Sequence, residues 1–190
     1  MNSPRDPEAF RRALEAKLEP EQIRATLAFA GLYQIAHELI KQAVLDEVRG
    51  FFWLGIQDGV MIYDEPAYAR EVLRRAPKNR FLASLSWLVV GGAVTSEQAD
   101  RLELIVDHRH ELTHELLKYI FDPDFEPNVE LLTDALDILK SIRRFWTGIE
   151  ADIGTFDHLG DVDLDAVAPL SLVALQMCID AYVQGPPSSG

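Results

Sequence analysis

A chain of 190 residues, 48% hydrophobic and 26% charged, is long enough to bury one substantial core and is expected to form one domain. That composition excludes a disordered or fibrous chain, and a single cysteine excludes an intrachain disulfide framework. The formal charge of −13 excludes general attraction to a phosphate backbone, so any nucleic-acid contact requires a local basic surface.

The first twenty residues are charged and amphipathic rather than leader-like. The longest apolar runs, such as "FLASLSWLVVGGAV", are too short to span a bilayer. The expectation is a cytoplasmic protein with no membrane contact. Cys178, in "LSLVALQMCIDAYV", reads as an inert core thiol.

In chain order, Asp6-Pro7 is an N-cap and first-turn pair, and it predicts a short amphipathic helix ending near Leu18. Pro20 opens a long helical segment in which Leu27, Ala30, Ile35, Leu39, Ala43 and Val48 recur at helical spacing as far as Gly50. The stretch "FFWLGIQDGVMIYDEP" has two readings: a tight hairpin turning at Asp58-Gly59, or a loop packed by its aromatics. A basic helix follows from Glu65 to Ala76 and ends at Pro77, and a mostly apolar one runs from Phe81 to Val90. Thr95 and Gln98 form a capping box that starts a helix running to about Ile120. Asn128 begins another long helix, an acidic loop leads to a last apolar one, and residues 185–190 read as a disordered tail. The predicted fold is all-α: one helical bundle with long antiparallel helices over residues 1–184.

The chemistry concentrates in "DHRHELTHEL", Asp107 to Leu116. On a helix, Leu102, Ile105, Val106, Leu112, Leu116, Leu117 and Ile120 form one apolar stripe, and Arg109 projects into its middle. His110 and His114 lie about 40° apart on its shoulder, while Glu111 and Glu115 point away. A guanidinium in an apolar stripe is costly unless it is paired or faces an interface, so Arg109 demands an explanation.

Two functional readings share His114. As H-E-x-x-H, His110 and His114 would bind zinc one helical turn apart, with Glu111 as general base on a bound water. Glu130, in "ELLTD", would be the third ligand and resembles the E-x-x-x-D of gluzincins. Against this stand the charged flanks Asp107, Arg109 and Glu115, the missing sheet, and the short interval to Glu130.

As R-x-x-x-x-H, the segment "RLELIVDHRHELTHELLKYIFDP" resembles the motif region of the HEPN superfamily, and "LAFAGLYQIAHELIKQAVLDEVRGFF" is similar to its preceding helix. The resemblance spans roughly residues 22–150. It implies a small α-helical protein, and many members are metal-independent endoribonucleases of toxin–antitoxin, abortive-infection or CRISPR-linked systems. Arg109 would then contact the scissile phosphate and His114 would act as general acid–base, with the RNA 2′-OH as nucleophile and no cofactor. The residue after the arginine, usually Asn in the family, is His110 here. Glu38, and more weakly its neighbour His37, would be the auxiliary polar group opposite the motif. The resemblance also implies a homodimer whose motif helices meet at a two-fold axis. An antitoxin or other protein partner fits the same context, with RNA as substrate.

The basic surface such a substrate needs is offered by "REVLRRAPKNR", where Arg70, Arg74, Arg75, Lys78 and Arg80 face Glu71 alone. A third reading is a non-catalytic dimeric interaction module in which the motif only organises the dimer. His37 and His158 read as structural or solvated. Phe51, Phe52, Trp53, Trp87 and Trp146 read as core. "FDPDFEP" and "DVDLD" lack the Gly and Glu of an EF-hand and read as loop chemistry.

Overall fold

The computed structural model describes residues 6–155, 158, 163 and 168–184. The expected tail at 185–190 and most of the acidic loop lie outside the described residues. Among those residues the fold is predominantly helical, with one two-stranded sheet.

The helix starts follow their caps. Helix α1 (Pro7–Lys17) begins where the Asp6 carboxylate accepts the Glu8 N–H at 3.1 Å. Helix α2 (Pro20–Lys41) continues through a π-helical turn (Gln42–Asp46) into α3 (Glu47–Gly50). Strands β1 (Trp53–Gln57) and β2 (Val60–Tyr63) pair antiparallel, with Ile56 opposite Met61 and Gln57 opposite Val60. Their turn is Asp58-Gly59, at φ 52° and 78°, the two positive values a two-residue type I′ turn requires. Of the two readings of this stretch, the hairpin is the one formed.

Helix α4 (Glu65–Glu71) is capped by Asp64 and gives way to a 3₁₀ turn (Leu73–Arg75), so the basic segment is not one helix to Ala76. Val72, at φ −106° and ψ −65°, departs from α geometry and ends the regular turn there. Helix α5 (Arg80–Val90) starts at an Asn79 cap, and α6 (Ser96–His114) at the expected capping box, with both reciprocal bonds present. Helix α7 (Leu116–Phe121) follows a break at Glu115, and α8 (Val129–Asp152) starts at Asn128. Helix α9 (Leu170–Gln184) closes the described chain.

Helix α2 is the central element, packed against α6, α7, α8 and α9. Phe29, Tyr33 and Ile40 of α2, Leu88 of α5, Leu102 and Ile105 of α6, Leu132 and Ile142 of α8, and Leu175 of α9 are essentially closed to solvent. Helices α6 and α8 run antiparallel. Gln98 meets Ser141, Arg101 bonds Glu130 and Asp134, and His108 reaches the Asn128 N–H. At the edge, the buried ammonium of Lys17 donates to the carbonyls of Tyr119 (3.2 Å) and Phe125, tying α1 to the end of α7.

Several expectations are corrected. Leu27 and Ile35 are nearly half exposed, and the buried face of α2 is Phe29, Leu32, Tyr33, Ala36 and Ile40. The segment is apolar enough to support several phases, and the π turn adds a residue that rotates Ala43, Val44 and Val48 inward. The motif helix stops at His114 instead of Ile120. Glu115 takes φ −119° and ψ 23°, and beyond it Tyr119 turns inward while Leu117 is 67% exposed. Phe51 and Trp53 are half exposed rather than core, whereas Phe52 and Trp146 are buried. Cys178 is exposed, because α9 buries only its Leu172–Leu175 face.

These burials set a stability contrast. Leu102→Ala, at a fully enclosed site, is expected to lower the unfolding free energy by about 2–5 kcal/mol. Leu117→Ala is expected to change it by no more than about 0.5 kcal/mol. Urea denaturation of both variants measures the difference.

Candidate functional site

The motif residues occupy the last two turns of α6, beside the middle of α2. Arg109 is half-buried there, as its place in the apolar stripe predicts, and α2 supplies its partner. Its Nε donates to Gln34 Oε1 at 2.9 Å. Gln34 in turn donates through Nε2 to Glu38 Oε1 at 3.1 Å, and Lys41 lies 3.4 Å from the other Glu38 oxygen. The predicted auxiliary residue Glu38 therefore stands one side chain removed from Arg109, on the opposing helix. Gln34, the residue that links them, was not singled out from the sequence. Its spacing four before Glu38 on one helix face was the available signal.

Arg109 forms no ion pair among the described residues. The other half-buried arginines do: Arg49 pairs with Glu65, Arg101 with Glu130 and Asp134, and Arg143 with Glu47. In a chain where 31 acidic residues outnumber 18 basic ones, Arg109 keeps its terminal amines uncommitted among the described residues. A neutral amide holds the guanidinium by one edge, so its bidentate edge stays available to an anion.

His110 and His114 are both exposed, with ring centroids 4.3 Å apart. The Thr113 hydroxyl donates back to the Arg109 carbonyl at 2.9 Å, one turn before the helix ends. Glu111 turns away from this pair toward His108, at 3.6 Å from Nδ1. Glu130 is bound to Arg101 at 3.0 Å, nine residues and about 13 Å of helix away from His110. The four residues of the zinc reading are thus not assembled. Among the described residues no group of three or more His, Cys, Asp or Glu side chains is arranged to hold a metal ion.

His37 lies within the core of α2, its Nδ1 3.4 Å from Glu38. Burial lowers its pKa, Arg109 lowers it further, and Glu38 opposes both. At Glu38 the burial penalty is outweighed by Lys41 and His37, which hold the carboxyl below its ordinary range. His158 is exposed.

The residue the sequence reading passed over is His108. Its ring meets Tyr33 of α2 edge-on at 5.1 Å and Tyr119 of α7 at 5.9 Å, and its Nε2 accepts the Asn128 N–H at 3.3 Å. An accepting Nε2 makes it the neutral tautomer with the proton on Nδ1, facing Glu111. Burial lowers the His108 pKa against the pull of Glu111. Burial, with the nearby Glu111 carboxylate, raises the Tyr119 phenol.

The basic cluster forms a separate surface. Arg70, Glu71, Arg74, Arg75 and Trp87 line an open groove of about 420 Å³. Glu71 engages Arg70 at 2.8 Å and accepts from Arg75 through its carbonyl at 2.7 Å, while Lys78 and Arg80 stand exposed beyond. Gln34 and Arg49 are separated by about 20 Å along α2 and its continuation, and Arg49 pairs with Glu65 at the start of α4. The structure does not bring this cluster to Arg109.

Comparison with known proteins supplies no relative: no family model matches the chain, and neither a curated protein nor a solved structure is significantly similar.

Both buried histidines shift the pH dependence of stability in one direction. Their folded pKa values lie below the ordinary imidazole value of about 6.5, so the unfolded chain takes up protons first as pH falls. Their contribution is fully present above about pH 6.5 and is lost progressively below it. Chemical denaturation from pH 7.5 down to about 5 is expected to show falling stability. The double variant His37→Gln/His108→Gln is expected to show a shallower fall than the wild type.

Proposed function

We propose that this chain is a HEPN-like, metal-independent endoribonuclease acting in a toxin–antitoxin or phage-defence setting. The observation that carries the reading is Arg109: a half-buried guanidinium oriented by Gln34, free of any carboxylate among the described residues. In an acidic chain, a cation left unpaired at this depth serves an external anion best, and a phosphodiester supplies one. His110 and His114 stand on the neighbouring shoulder of the same helix end, exposed and able to exchange protons with a bound substrate.

The mechanism follows from those positions. Arg109 binds the scissile phosphate and offsets the charge that develops on it as the 2′-OH attacks. His114 exchanges protons with the attacking or leaving oxygen, and His110 supports it from one turn away. Glu38 acts through Gln34, as a positioning residue for Arg109. The groove at Arg70, Arg74 and Arg75, with Lys78 and Arg80 beyond it, would hold RNA outside the site. The two-fold composite site, and a protein partner such as an antitoxin, come with the resemblance. Gln34 orients one edge of Arg109 within one chain and leaves the terminal amines to a phosphate or to a second copy.

In the presence of EDTA, Arg109→Ala and His114→Ala are each expected to lower cleavage of a single-stranded RNA by at least about 100-fold. Glu111→Gln is expected to retain most activity, with a melting curve to register any loosening at His108. EDTA-sensitive cleavage that dies with Glu111→Gln and survives Arg109→Ala would instead establish the zinc hydrolase. A wild-type protein with no cleavage leaves the interaction-module reading in place.

A further inference from the structure

The β1–β2 hairpin is an apolar arm whose exposed face is not covered by the other described residues. Ile56 and Met61 are direct cross-strand partners, and Leu54 stands just before them at the register irregularity between Trp53 and Gly55. All three are between 62% and 67% exposed. The face continues at the base of the arm into an open groove of about 560 Å³, lined among others by Phe51, Trp53, Trp146 and Ile153. Of these, Phe51, Trp53 and Ile153 are at least half exposed.

Such a surface is unusual on a chain this charged. Residues 53–63 carry one charged side chain, Asp58 at the tip, while the whole chain carries −13. Neither strand contains the lysine or proline that commonly blunts a free sheet edge. The backbone is nevertheless well specified, by a type I′ turn, a regular register toward the tip, and the Asp64 N–H bonded to the Phe52 carbonyl at 2.8 Å. Arg49 covers Tyr63 at 4.6 Å and braces the base.

We infer that this arm is a self-association element: two copies of the chain pack their Ile56–Met61 faces together about a two-fold axis, with the exposed Leu54 beside them, closing the Phe51–Trp53–Ile153 groove as they do so. Two arguments select a second copy as the occupant. The first is area. Six large apolar side chains, each exposing on the order of 100 Å², bury about 600 Å² per chain and about 1,200 Å² in all, the lower bound of a specific interface. The second is charge. Two chains of −13 repel wherever their acidic surfaces meet. Residues 53–63 offer a surface whose one carboxylate, Asp58, is at the tip, while Glu47 and Glu150 line the groove at the base together with Arg143. A two-fold contact is also self-complementary by construction, since an apolar face needs only its own copy. The arm begins beyond Arg49, about 20 Å along α2 and its continuation from Gln34, so this dimer is independent of the nuclease reading and leaves both Arg109 sites open.

Light scattering across about 5–100 µM tests it. The wild type is expected to be dimeric toward the upper end. Ile56→Lys and Met61→Lys, which set like charges against each other across the axis, are each expected to weaken association at least tenfold. Their melting curves should stay near that of the wild type, because both side chains are exposed. The control Leu117→Lys, on α7, is expected to leave the dimer intact. As a second readout, Ile56→Cys in a Cys178→Ser background should give a covalent dimer with a short bis-maleimide linker. A wild type monomeric at the highest concentration overturns the inference. So does a dimer that survives both arm variants and yields no cross-link, which would move the interface elsewhere without affecting the nuclease test.

Discussion

The imidazole of His108 is the contact on which the motif end of the bundle depends. It belongs to α6, meets Tyr33 of α2 and Tyr119 of α7 through ring edges, and accepts the N–H of Asn128 at the start of α8. Four helices are thereby referenced to one side chain. The arrangement requires a neutral ring, because an imidazolium would lose its acceptor at Asn128 and would be charged where burial disfavours charge. Once His108 is placed, the next residue of α6, Arg109, is held against Gln34, and His110 is left on the exposed shoulder.

Two departures from regular helix geometry set what lies on either side of that point. The π turn at Gln42–Asp46 shifts the phase of the long N-terminal helix, bringing Glu47 to Arg143 of α8 and delivering the chain to the aromatic cluster of Phe52, Trp87 and Trp146. The break at Glu115 does the reverse for α6. It frees His114 as a terminal residue and lets Tyr119 return to the core beside His108. Lys17 then secures the far end of α7 by donating to two backbone carbonyls that have left the helical ladder.

Electrostatics explains why one arginine stands apart. With acidic residues in excess, most half-buried guanidinium groups find a carboxylate: Arg49, Arg101 and Arg143 each do. The Glu47–Arg143 pair shows the cost, since burial raises the Glu47 pKa even against the attraction of its partner. Arg109 has an amide instead. Among the described residues it is held in place without being neutralised.

The sequence by itself determined where the side-chain-capped helices begin and that the fold is helical. Asp6, Asn128 and the Thr95–Gln98 box cap their own backbones, and the interval from cap to first turn is local. It also marked Arg109 as a residue needing a partner, because helical phase alone puts a guanidinium in an apolar stripe, whereas Glu38 was reached only through the resemblance. What only the tertiary structure decided was which of several apolar faces is buried, where helices break, and who the partners are. Leu27 and Ile35 have the same periodicity as Phe29 and Ile40, and only packing against α6 and α8 chooses between them. His108 was invisible for the same reason: its role is defined by Tyr33, Tyr119 and Asn128, up to 75 positions away in the chain and adjacent only after folding. Gln34 became Arg109's partner, and Glu130 became Arg101's, through contacts between helices that no local spacing encodes.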